Sequence, residues 1–288
     1  MQVQKRFKMK ALGSRGNRTF EGASAPAVKG TPSGVSEKYA HVSSQEVLDI
    51  FARYGWEPVR STQKTRKMSS PKTRESAAHM VELHNPTMAG FIAPKVSERL
   101  GGLVPTLYVK NSHDGSTPLE VTYGFIRLVC QNGLAFGEVF GSFKVRHYGK
   151  AAQMSELEYK LAAVANNFLT IVAQMLKMDS VECTDSMRKQ IALKGLELKY
   201  GLEVVARLAD ENKLGETLDS IAKPMRLEDK ANSVWSVMNV VQEDMVNALT
   251  LMPKVEGTKR TRSITNKFRA NDLTSELVEF AHSLAIAA

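Results

Sequence analysis

The sequence predicts an α+β fold: a central antiparallel sheet with an N-terminal helix and a helical C-terminal half. Three observations point to it. Short β-prone runs alternate with turn residues between Ala77 and His147, Ser43 and Glu46 have capping-box spacing ahead of Val47, Leu48 and Phe51, and apolar residues recur at three- and four-residue steps after Lys150. With 288 residues and 43% hydrophobic content the chain can bury a sizeable core, so the sheet and helices are expected to form one compact unit.

Residues 1–36 combine Lys5, Arg6, Lys8, Lys10, Arg15 and Arg18 with a run rich in Gly, Ala, Ser and Pro. That composition buries little, and the expectation is a mobile basic arm. Residues 37–150 are expected to form the α+β core. A helix begins at Ser43 and ends at Gly55, and Trp56 to Thr62 reads as a strand. Pro58 to Arg74 holds six basic residues and no acid, which by itself reads as a charged loop. Further strands are predicted over Ala78–His84, Val104–Asn111, Leu119–Val121 extending toward Tyr123, and Gly141–His147, with Asp114-Gly115 as a hairpin-turn signal. Gly124–Leu134 reads as a strand passing into a short helix.

Residues 151–288 are expected to be helical and packed on the core. Ser155 and Glu158 repeat the capping-box spacing, and Leu157, Leu161, Val164, Phe168, Ile171 and Met175 make one apolar stripe. Other helices are predicted at about 185–200, 202–213 and 229–251, the last with Trp235, Met238, Val241 and Met245 as core filling. Between that helix and a final one over Thr274–Ala285 lies a second basic segment, 254–271, with no acid after Glu256.

The formal charge of +9 favours polyanionic partners, bound with an affinity that falls as salt rises. Cys130 and Cys183 match no paired metal or redox spacing, and no G-x-x-x-x-G-K-[ST] phosphate loop is present. The start MQVQKRFKMK lacks the apolar run of a signal peptide, and no stretch supplies the roughly 18 apolar residues of a membrane helix. The expected location is therefore the cytoplasm of a bacterial host cell, away from membranes, and no cofactor is expected.

Several segments together resemble one family of phage, prophage and plasmid proteins. They are Ala78-His79-Met80-Val81, Asn111 through Ser116, Gly124 through Leu134, Val145-Arg146-His147, Asn239 through Glu243 and Thr261-Arg262-Ser263. The family is the domain-of-unknown-function 932 family, and the resemblance runs in order over about residues 40–280. It implies origin on a mobile element and a shared fold rather than a mechanism. The order helix, Gly-Trp, strand, basic loop and hairpins also resembles that of single-strand annealing proteins, an analogy of fold only.

The functional expectation is non-enzymatic binding of nucleic acid, DNA favoured, with single-strand binding or annealing in replication or recombination as one form of it. The phosphate contacts would be Arg60, Lys64, Arg66, Lys67, Lys72 and Arg74 in the first basic segment and Lys259, Arg260, Arg262, Lys267 and Arg269 in the second. Trp56, Phe143, Tyr148 and Phe268 are the aromatics near enough to stack on bases. A metal-dependent nuclease or hydrolase is the alternative, with His79, His113, Asp114 and His147 as ligands; the competing reading makes Asp114 and Gly115 a hairpin turn buttressed by His113 and Asn111. A Cys130 nucleophile is a weaker alternative, and a homo-oligomer or a host or phage protein partner, as for an anti-defence factor, stays open.

Overall fold

The computed structural model describes residues 17–65, 74–90, 92–127, 133–136, 142–147, 157, 159–160, 164–226, 229, 231–250, 252–253 and 262–288. The fold is α+β. Strands β1 (Asn17–Glu21), β2 (Glu57–Lys64), β3 (His79–His84), β4 (Leu103–Asn111), β5 (Leu119–Arg127) and β6 (Gly133–Phe136) pair in that order, all antiparallel. β7 (Phe143–Val145) shares the far edge of β5 with β6. The described helices are α1 (Ser44–Arg53), α2 (Pro86–Ala89), α3 (Pro94–Arg99), α4 (Val164–Ser180), α5 (Asp185–Tyr200), α6 (Leu202–Asp210), α7 (Leu214–Ile221), α8 (Val234–Asn247) and α9 (Lys267–Ala287). Among the described residues no helix is long and apolar enough to cross a membrane.

Alternation along the strands gives the sheet two chemically different faces. Val81, Leu83, Leu107, Val109, Val121, Tyr123 and Phe125 turn to the main core, where Phe168 of α4 meets Trp56, Tyr123 and Phe125 at ring distances of 5.6, 5.6 and 5.1 Å. α8 is the central helix of the second layer: every residue from Val234 to Val246 is buried, with α4, α5 and α9 packed around it. Side-chain caps set most of the helix starts. Ser43 Oγ accepts from Glu46 N at 3.3 Å, Thr184 caps α5 and Ser233 caps α8.

Three expectations change. Residues 17–36, assigned to a mobile arm, are ordered against the sheet, with 17–21 forming its first strand. β1 pairs with β2, Ala27 and Val28 in the 3-10 turn Pro26–Lys29 are buried, and the Ala25 and Ala27 amides donate to Ser61 Oγ and Gln63 Oε1 at 3.2 and 3.1 Å. The small residues that suggested disorder allow close approach instead: a Cβ on Gly30 would lie 1.7 Å from the Glu75 carbonyl oxygen. Residues 1–16 lie outside the described set, as do Cys130 and the Ser155 cap. After β5 the chain forms strand β6 where a short helix was expected. The last helix starts at Lys267, seven residues before Thr274, because Asn266 Oδ1 accepts from the Phe268 and Arg269 amides at 3.1 and 3.3 Å. The end of the second basic segment is therefore helix.

α5 and α8 touch at Gly195, where a Cβ would meet Val241 Cγ1 at 2.5 Å. Gly→Ala inside a helix ordinarily stabilises by about 1 kcal/mol. Here overpacking should reverse the sign and Gly195→Ala should lower stability by roughly 1–2 kcal/mol, with Val241→Ala added to it restoring part of the loss relative to the Val241→Ala parent. Urea midpoints of the four chains measure this, and a more stable Gly195→Ala chain would refute the contact.

Candidate functional site

The second face of the sheet is polar. Arg60, Thr62 and Lys64 of β2 share it with Met80, Glu82 and His84 of β3, Thr106, Tyr108 and Lys110 of β4, and Glu120 and Thr122 of β5. The register lines up Glu21, Arg60, Glu82, Tyr108 and Thr122 in one row across five strands. Opposite charges are neighbours within it. Arg60 Nε and Nη2 both donate to Glu82 Oε2, at 2.9 and 2.6 Å, and His84 Nε2 donates to Glu82 Oε1 at 3.0 Å. Burial pushes the Glu82 carboxyl up, but the His84 hydrogen bond and the charge and hydrogen bonds of Arg60 together outweigh it and hold the group below its usual range. In the next row Lys110 Nζ lies 2.6 Å from Asp272 Oδ1 and 3.6 Å from Glu120 Oε2, and Lys144 Nζ is 3.6 Å from Glu120 Oε1.

The first turns of α9 cover part of this face. Phe268 packs on Met80 and Tyr108 as a small apolar cluster separate from the main core, and Asn271 Nδ2 donates to Met80 Sδ at 3.5 Å. Lys64 Nζ lies 5.4 Å from the centre of the Phe268 ring. Lys267 is half-buried, and its ammonium is pulled below the usual lysine range first by burial and then by the positive charge of Arg60, with Glu82 opposing. The Tyr108 phenol is raised well above its usual range, by burial first and then by the charge of Glu82.

The two acid-free basic segments, about 200 residues apart in sequence, therefore meet at Arg60, Lys64, Lys267 and Phe268. Of the other expected phosphate contacts, Arg74 and Arg262 are exposed. Arg269 is also exposed, and its Nη2 donates to the Lys199 carbonyl at 3.1 Å. Arg66, Lys67, Lys72, Lys259 and Arg260 lie outside the described residues. Trp56 and Phe268 are buried, Phe143 is half-buried with Lys160 Nζ 5.2 Å from its ring centre, and Tyr148 is outside the described set.

His79, His113 and His147 gather near the start of β3, on the side away from the polar face, and His41, which the sequence reading passed over, joins them. His79 Nδ1 donates to the Ala77 carbonyl at 2.9 Å, while its Nε2 accepts from Ser44 Oγ at 2.7 Å. Ser44 Oγ in turn accepts from Asn111 Nδ2 at 2.7 Å. His113 Nε2 donates to the Ala27 carbonyl at 2.9 Å and its Nδ1 accepts from His41 Nε2 at 3.1 Å. His147 Nδ1 donates to the Ala40 carbonyl at 3.3 Å, and its ring stacks on Tyr39 at 4.8 Å. Asp114 Oδ1 accepts from the Ser116 amide at 2.9 Å, the Asx-turn arrangement. The ring nitrogens a metal would need on His79 and His113 are thus committed to protein partners, and among the described residues no group of three or more His, Cys, Asp or Glu is placed to hold a metal ion. Cys183 is buried, and burial raises its thiol above the usual range.

Comparison with known proteins adds kinship. The profile of a family described as "Domain of unknown function (DUF932)" matches residues 33–273. Two proteins of Escherichia coli strain K12, UPF0380 protein YfjQ and UPF0380 protein YafZ, are each 27% identical to the chain over 212 residues, which is 73% of this chain and 69% of theirs. No solved structure matches it.

Proposed function

The chain belongs to the DUF932 family, and from that premise we propose that it is a non-enzymatic nucleic-acid-binding protein of a phage or plasmid, acting on DNA in the host cytoplasm. Neither the family nor its named members supply an activity, so the reading rests on the chain's own residues. The observation that carries it is the meeting of the two basic segments on the polar sheet face. Lys64 and Lys267 approach through Phe268 and Arg60, and Arg74 and Arg262 remain exposed for solvent-facing contacts. Charges distributed in this way contact phosphates without reading base edges, which suits sequence-tolerant binding.

A salt series tests it. The logarithm of affinity for a labelled single-stranded oligonucleotide, followed by fluorescence anisotropy, should fall linearly with the logarithm of salt, by about 0.7 per phosphate neutralised. Replacing Lys64, Arg74 and Arg262 together by Ala should make the slope shallower by about 2. Replacing the exposed Lys95, Lys189 and Lys223 removes the same charge elsewhere and should change it much less. Absent binding sinks the reading, and equal losses from the two triple variants sink its location.

A further inference from the structure

We propose that residues 26–42, in the segment leading from β1 into α1, are a strap that acid releases from the sheet while the rest of the fold stays closed, with the imidazole pair His41–His113 as its latch. The geometry of that pair carries the inference. His41 Nε2 lies 3.1 Å from His113 Nδ1, and the ring centres are 4.8 Å apart. A hydrogen bond between two imidazole nitrogens needs one N–H and one lone pair. A first added proton can be carried by His41 with the bond intact, since its Nε2 donates in either state. A second must go to His113 Nδ1, which puts an N–H on both nitrogens and turns the contact into a repulsion. Other attachments of the strap run through the same group. His113 Nε2 donates to the Ala27 carbonyl at 2.9 Å, and the His113 carbonyl accepts from the Ser33 amide at 3.0 Å. His147 Nδ1 donates to the Ala40 carbonyl at 3.3 Å, and the Ala40 amide returns a bond to the His147 carbonyl at 3.0 Å. Tyr39 stacks on the His147 ring and donates to the Ser112 carbonyl at 3.0 Å. Asn111 Nδ2 holds the Val42 carbonyl at 3.0 Å, where the strap enters α1.

Apolar packing adds little to these bonds. No residue from Lys29 to Tyr39 is buried, and the buried apolar side chains that the strap contributes, Ala27, Val28, Ala40 and Val42, are small. A segment held in this way opens at lower cost than the strands and helices of the core. The groups around the pair resist the second proton. The His79 ring of β3 is centred 5.3 Å from that of His113. Burial, followed by the charges of His79 and His41, lowers His113 to about 3, with the bond to the Ala27 carbonyl opposing and His147 adding to the fall. Glu46 of α1 favours charge on His41 but is outweighed by burial. Asp114, next to His113 in the chain, turns Oδ1 to the Ser116 amide. Tyr39, raised to about 12 by burial, stays neutral throughout, and Lys29, Glu37 and Lys38 of the strap are exposed. Release returns the imidazoles toward their ordinary 6.5. The closed strap is therefore fully favoured above that pH and loses its advantage as pH falls below it. His113 alone should make opening about tenfold more frequent per pH unit between 6 and 4, and His41 and His147 steepen the rise. The latch does not depend on the nucleic-acid reading.

Amide hydrogen exchange of the full chain, followed by mass spectrometry from pH 7 to pH 5 and corrected for the intrinsic pH dependence of exchange, tests the latch. Peptides within 26–42 should be protected at pH 7, and their opening constant should rise at least about 20-fold by pH 5. Peptides from β4 and α8 should stay protected over the same labelling times. His113→Gln should make the strap open more readily at pH 7 and flatten the rise by about one power of ten per pH unit. His41→Gln, at an exposed position, should flatten it by less, and it keeps the test valid should His113→Gln fold poorly. A strap that is unprotected at pH 7, or whose opening does not change with pH, overturns the proposal. So does a strap that exchanges at every pH in step with β4 and α8, since only global unfolding would then expose it. An undiminished rise in both variants removes the pair as the latch.

Discussion

Replacing Asp229 by Ala should destabilise the protein by about 3–5 kcal/mol, the cost of leaving a buried charge without its partner. Arg127 ends β5, and its Nη2 donates to Asp229 Oδ1 at 2.9 Å with side-chain exposures of 3% and 2%. The same guanidinium donates through Nε to the Leu100 carbonyl at 3.1 Å and lies 5.8 Å from the Trp235 ring centre. It thereby ties the sheet to the segment that leads into α8, and through α8 to α9 and the basic face. The pair need not add net stability, because desolvating both ions offsets most of their attraction. Arg127→Met with Asp229→Leu should accordingly lie within about 2 kcal/mol of the parent while Asp229→Ala does not. Urea unfolding of the three chains separates the outcomes. A loss below about 1 kcal/mol in Asp229→Ala would put this ion pair in the class of surface salt bridges.

Acid should loosen the fold well above the carboxylate range. Burial lowers His79 to about 4 from 6.5, and burial, followed by the charges of His79 and His41, lowers His113 to about 3. His41 and His147 are lowered too, in each case by burial first. An imidazole depressed in the folded chain contributes fully above its unfolded value of 6.5 and loses that contribution as pH falls toward the folded value, because the unfolded chain takes up the proton first. By pH 5 His79 alone should remove about 2 kcal/mol, and below pH 4 on the order of 3 kcal/mol. His41, His113, His147 and His282, all lowered, act in the same direction. Glu82, held below its usual 4.5, loses its contribution only at lower pH, so the decline between 6.5 and 4.5 belongs to the histidines. Urea midpoints across that window measure it, and a chain equally stable at pH 7 and pH 5 would contradict the assignment. His79→Gln should flatten the decline.

What the sequence by itself determined is what depends on near neighbours. β3 and β4 fall within a residue of their expected bounds, since alternation and the turn at Asp114-Gly115 are local. α5 was legible to the residue, with Thr184 capping its start and Gly201, at φ 88°, ending it. The antiparallel sheet, the helical C-terminal half and the family were legible for the same reason. Tertiary structure alone decided which charges are spent and which remain. Arg60 looked like a free cation in an acid-free run, yet it pairs with Glu82, 22 residues on, and Lys267, from the far end of the chain, feels the charges of both. Trp56 and Phe268 looked available for stacking, but one fills the main core and the other roofs the polar face. His41 joined the histidine cluster through a contact 72 residues away in sequence. The physical reason is range. Periodicity and capping act over one or two turns of chain, whereas burial and ion pairing are set by strand register and by where a distant helix comes to lie.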